Sequence, residues 1–134
     1  MRWVDPVGAG DAIRARVPDV LRTYQETRVN VIERGVVDAD LKQLCARYLS
    51  GDPDVVAFED GDRYDERERA ALGWAQAIAW DPASADDELW MRLHRHFTEP
   101  ELVELGYCMA IVHGQLRWMR ALGVPPRHED ALGY

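Results

Sequence analysis

The residues in this sequence that could carry chemistry are few: two cysteines, four histidines, and the acids that fall beside apolar segments. Cys45 and Cys108 are separated by 62 residues and form no C-x-x-C pair, so a local dithiol cycle has no sequence support. Both lie on apolar stretches, where a free cysteine reads as a small buried hydrophobe with an unreactive thiol. His94 and His96 are two apart, which on a helix sends them to nearly opposite sides and rules out shared chelation of one ion. They read as a solvated or interface-lining pair. His113 sits near the end of an apolar run, where burial keeps an imidazole neutral, either as a hydrogen-bonded core histidine or as a pocket base. Glu104 interrupts that same run, either as a rim charge paired with an arginine or as a carboxylate of raised pKa facing a cavity. Glu59, next to Phe58 and just before an acidic turn, is a solvated loop acid or a third proton mover.

Helices must position all of these residues, since five helical segments and no strand can be read. The first opens at Pro18, whose fixed φ suits a first turn, and stops at Gly35. The second runs from an Asp38 cap to Ser50, carries Leu41, Leu44, Cys45, Tyr48 and Leu49 on one stripe, and stops at Gly51. Asp65 with Glu68 makes a capping box for the third, which ends before Asp81-Pro82. The fourth opens at Ser84, with Asp87 at the box position, and carries Leu89, Trp90, Leu93 and Phe97. The fifth opens at Thr98-Glu-Pro-Glu101 and reaches Leu122 before Gly123. It is apolar nearly all round from Leu102 to Val112, which predicts a helix that is central to the domain and part of a subunit interface at once. The fold class is all-α.

The chain has 134 residues, 47% of them apolar and 30% charged, which fits one soluble domain. The net charge is −8, a poor basis for binding nucleic acid, which needs basic surface against phosphates. The N-terminal residues have no apolar run, and the longest apolar stretch is too short for a bilayer span. The expectation is a cytoplasmic protein with no membrane and no nucleic-acid partner. Residues 52–68 hold eight acids against two bases, but they lack the spacing of a calcium loop, so no metal and no cofactor is expected. Residues 1–17 read as an extended arm on a single helical domain spanning 1–134.

Two stretches, Val36-Val-Asp-Ala-Asp-Leu-Lys-Gln-Leu44 and Asp65-Glu-Arg-Glu-Arg-Ala-Ala-Leu-Gly-Trp-Ala-Gln-Ala-Ile78, resemble the carboxymuconolactone decarboxylase / alkylhydroperoxidase D-like superfamily. So do Trp90-x-x-Leu-His-Arg-His-Phe-Thr-Glu-Pro-Glu-Leu-Val-Glu-Leu105 and Ile111-Val-His-Gly-Gln-Leu-Arg-Trp118. The resemblance covers residues 36–126 and implies a compact helical domain that assembles as a homo-oligomer, a trimer or hexamer. The chain departs from the family at its redox motif. Peroxidase members carry a Glu-x-x-Cys-x-x-Cys-x-x-x-His pattern. Here the second helix is followed by Gly51-Asp-Pro-Asp-Val-Val-Ala-Phe-Glu59, with Cys45 several residues too early and no resolving partner at motif spacing.

Three functions remain compatible with the residues. One is cofactor-free acid–base chemistry on a small carboxylate or lactone, with His113, Glu104 and Glu59 as the proton movers. Another is peroxidase activity through Cys45 with an external reductant. The third is a non-catalytic scaffold that binds a small molecule or serves a structural role.

Overall fold

Side-chain chemistry sets the helix ends in the computed structural model, which describes residues 9–124. Helix α3 (Ala39–Ser50) starts where the Asp38 carboxylate accepts from the Leu41 N–H and stops at Gly51, which adopts φ +84°. Capping boxes open α5 (Glu66–Trp80) at Asp65 and α7 (Glu99–Ala121) at Thr98, each with its glutamate three residues on. Helix α6 (Asp87–His96) is capped by Asp86, two residues later than the expected Ser84, because Pro82–Ser84 forms a separate 3₁₀ turn under the Asp81 side chain. Two short helices add to the five expected from sequence. In α1 (Ala9–Arg14), part of the stretch expected as an extended arm is helical, while residues 1–8 of that stretch lie outside the described residues. The other, α4 (Pro53–Val56), is begun by Asp52 inside the acidic segment and buries Val55.

The expected first helix divides in two. Helix α2 (Pro18–Thr27) is α-helical, and its continuation Arg28–Glu33 widens to a π-helix that ends on a hydrogen bond from Arg34 N–H to Val29 O. Gly35 follows at φ +114°, and the chain turns into α3. A buried ion pair supplies the hydrogen bonds this irregular backbone lacks. Lys42 Nζ donates to Val31 O (2.6 Å) and Arg34 O (2.7 Å) and lies 2.9 Å from the Glu104 carboxylate. That carboxylate in turn accepts from Val36 N–H (3.1 Å) and Val37 N–H (2.7 Å). Lys42 takes the orphaned carbonyls and Glu104 the orphaned N–H groups, so charge substitutes for a missing turn of helix.

The core is an apolar sandwich of α3 between α5 and α7. Helix α3 is the most enclosed element: Leu41, Leu44, Cys45, Ala46, Tyr48 and Leu49 are all buried. Leu72 and Ala75 of α5 meet it from one side, and Leu105, Met109, Val112 and Leu116 of α7 from the other. Arg120 closes the far end by donating to Ser50 O at 2.6 Å, a cation placed on the last carbonyls of α3. Helix α7 is not covered all round: Val103 and Tyr107 on its outer face are 73% and 55% exposed, and Trp118 further along is partly open. No described helix is long and apolar enough to cross a membrane.

Candidate functional site

Both thiols are sealed in the core. Cys45 has no exposed surface, and burial, with Cys108 and Asp38 adding to it, pushes its thiol far above the ordinary range. Burial likewise pushes Cys108 up to about 11, against the opposing pull of Lys42. A thiol must reach solvent as thiolate to attack a peroxide, and neither cysteine is placed to do so.

The three acid–base candidates sit in different settings. Glu104 is the carboxylate of the ion pair above, partnered by Lys42 and not by an arginine. Burial pushes its carboxyl up, but the Val37 N–H, the Lys42 ammonium and the Val36 N–H outweigh that and hold it below the usual glutamate range. His113 is half-buried on the same helix, and nine residues on α7 separate the two by about 13 Å and half a turn. Burial lowers the His113 pKa, and the nearby Arg117 and Arg120 lower it further, which keeps the ring neutral. Glu59 is exposed on the acidic loop, where its carbonyl, along with that of Gly61, accepts from Arg69. That loop is pinned through its backbone, and Glu59, Asp60 and Asp62 on it are exposed. Among the described residues no cluster of three or more His, Cys, Asp or Glu could hold a metal ion.

An open groove lies between α5, α6 and the start of α7. It measures about 520 Å³ and is lined by Trp74, Trp90, His94, Glu99, Leu102, Val103, Gly106 and Tyr107. Its floor depends on Gly106. A Cβ there would come within 2.5 Å of the Trp74 ring, so the absence of a side chain is what lets the indole approach α7 this closely. Trp74 meets Trp90 edge to face, with centroids 5.2 Å apart and planes at 67°. On the wall, His94 Nδ1 is 2.7 Å from the Trp90 carbonyl oxygen. A carbonyl only accepts, so the neutral ring carries its proton on Nδ1 and leaves the Nε2 lone pair free. The groove thus combines flat apolar walls with one oriented imidazole, the ordinary composition of a small-molecule site. In the sequence, the neighbouring His96 hides the role of His94. The informative partner is Trp90, four residues earlier and therefore on the same helix face.

A second groove of about 530 Å³ runs between α2 and α7, with Tyr24, Ile111 and Trp118 among its walls. Arg14 is buried at its base, donating to Gln115 Oε1 at 2.7 Å and to Asp11, with its guanidinium 3.6 Å from the Tyr24 ring centre. These contacts tie α1 to α2 and α7.

No protein-family model and no curated protein matches the chain. Among solved structures, the debrominase Bmp8, determined as a cysteine-to-alanine variant in complex with 2,3,4-tribromopyrrole, is similar in fold. The match has a TM-score of 0.77 at 21% sequence identity and covers 92% of this chain and 80% of that one. The chain has the all-helical, alkylhydroperoxidase D-like fold that the sequence resemblance implied.

Proposed function

We propose that this protein is a homo-oligomeric member of the alkylhydroperoxidase D-like superfamily that works without a thiol centre. It binds a small, flat, mainly apolar molecule in the groove between α5, α6 and α7 and moves a proton on it through His94. The observation that carries this reading is the groove itself: two indoles and a tyrosine beside an imidazole whose Nδ1–H is engaged by a backbone carbonyl, leaving Nε2 to accept. Among the described residues no arginine or lysine lines it, which favours a lactone or neutral aromatic over a carboxylate. Supporting this, the structurally similar debrominase was captured with a small heteroaromatic ring. The burial of Cys45 weighs against the peroxidase alternative. Self-association is favoured by the exposed apolar face of α7, where Val103 and Tyr107 stand open in the single chain; both also line the groove, so a partner subunit there would border the ligand.

Thermal-shift measurements with a panel of small lactones and neutral aromatics test this reading. The wild type and a Cys45→Ala/Cys108→Ala variant should be stabilised by the same compounds, while Gly106→Ala, which drives Trp74 into the groove, should lose the response. Stabilisation that survives Gly106→Ala, or that vanishes with the cysteines alone, would overturn it.

A further inference from the structure

The polar groups of the groove specify the hydrogen bonding of its ligand, an inference that rests on the groove being the binding site. His94 Nε2 can only accept when the ring is neutral with Nδ1–H engaged by Trp90 O. Glu99, at the start of α7 on the groove's edge, is a second acceptor carrying negative charge. Tyr107 alone among the lining side chains offers a hydroxyl that both donates and accepts, and Trp74, Trp90, Leu102 and Val103 supply apolar surface. A site that sets two acceptors, His94 Nε2 and Glu99, at its edge, without an arginine or lysine among its described lining residues, disfavours anions. It rewards a neutral planar molecule that brings its own donor.

We infer that the groove is selective for neutral aromatic ligands bearing an acidic O–H or N–H (phenols and azoles), which donate that proton in a hydrogen bond to His94 Nε2 while their rings lie against Trp74. The helix sets the geometry. Trp90 and His94 are one turn apart on α6, and the imidazole is held with its ring centre 6.3 Å from the Trp90 ring centre. A ring seated beside these indoles therefore lies within reach of the imidazole, whose Nδ1 is already engaged by Trp90 O.

Matched ligands that differ in one hydrogen test this. Binding of 2-naphthol and of its methyl ether 2-methoxynaphthalene is followed by quenching of tryptophan fluorescence at pH 8, where free imidazole is neutral. The wild type should hold the naphthol about fivefold to tenfold more tightly than the ether, the worth of one hydrogen bond. The ether is the more apolar of the two, so partition alone predicts the reverse order. In His94→Phe, which keeps a flat ring at an exposed position, the preference should disappear while the ether still binds. In Glu99→Gln the preference should persist. Equal wild-type affinities, or a naphthol preference that survives His94→Phe, overturn the inference and leave the groove standing as a site. If neither compound binds the wild type, the groove assignment fails and takes the inference with it.

Discussion

Replacing Glu104 by glutamine removes one negative charge from the place where the chain turns out of the π-helix, and the consequences can be followed atom by atom. The carboxylate is 2.9 Å from Lys42 Nζ, and the Lys42 side chain has no exposed surface. Two backbone donors, Val36 N–H and Val37 N–H, end on the same carboxylate. A glutamine keeps the length but offers one oxygen, and its amide nitrogen would turn donor toward donor on the other side. The Lys42 ammonium would then retain the Val31 and Arg34 carbonyls but lose its counter-charge in a buried setting. Breaking one side of such a pair costs about 3–5 kcal/mol, a large share of the roughly 5–15 kcal/mol that holds a domain together. Urea unfolding followed by helical circular dichroism should therefore place Glu104→Gln about 3 kcal/mol or more below the wild type, with an unchanged slope. Adding Lys42→Met should recover part of that loss by removing the stranded charge, and no more than part, because the carbonyls and N–H groups of residues 31–37 stay unpaired. A loss below about 1 kcal/mol for Glu104→Gln would refute the reasoning, since that is the range of an exposed surface pair.

Gly35→Ala should cost at least about 2 kcal/mol, because φ +114° strains any L side chain and the new Cβ would overlap the Glu104 carboxylate; the same urea titration reads it. The folded-state pKa of Glu104 lies below its unfolded value, so its stabilisation is present above the unfolded glutamate pKa of about 4.3 and is lost as the pH falls through the folded value. Between about pH 6 and about pH 3 the wild type should consequently lose more stability than Glu104→Gln. Neither Cys45 nor Cys108 should react with a thiol-specific disulfide reagent at pH 8 until the protein is unfolded in urea. If the proposed oligomer forms through the open face of α7, Tyr107→Glu should by light scattering yield a monomer where the wild type is larger, since it places a charge on that face.

The helical class, α3, α5 and α7 were legible because periodicity, caps and stop signals agreed at each of them: Gly51 after α3, Asp81-Pro82 after α5 and Gly123 after α7. The Thr98 and Asp65 capping boxes formed as written. The start of α6 is ambiguous in sequence because Ser84 and Asp86 are both good caps, and the competing 3₁₀ turn at Pro82 decides between them. The π-helix left no pattern in the residues it contains. It is set by Lys42 and Glu104, which come from other helices, and such long-range partners are invisible to local reading. That is also why Glu104 looked like a site residue: an acid in an apolar run signals a demanding environment but does not say whether that environment is a cavity or a buried lysine. The burial of Cys45 followed directly from its stripe. The groove did not, because its floor depends on Gly106 facing Trp74, a contact between residues 32 positions apart.

The tryptophans report on separate regions of the molecule. Trp74 and Trp90 line the proposed site, Trp118 lines the groove beside Arg14, and Trp80 is 80% exposed at the end of α5. Titrating nitrogen-15-labelled protein with 2-naphthol while following the indole N–H resonances therefore locates binding directly. Saturable shifts of the Trp74 and Trp90 signals, with Trp80 and Trp118 unmoved, are the predicted result. Shifts confined to Trp118, or none on Trp74 and Trp90, would contradict the placement of the site.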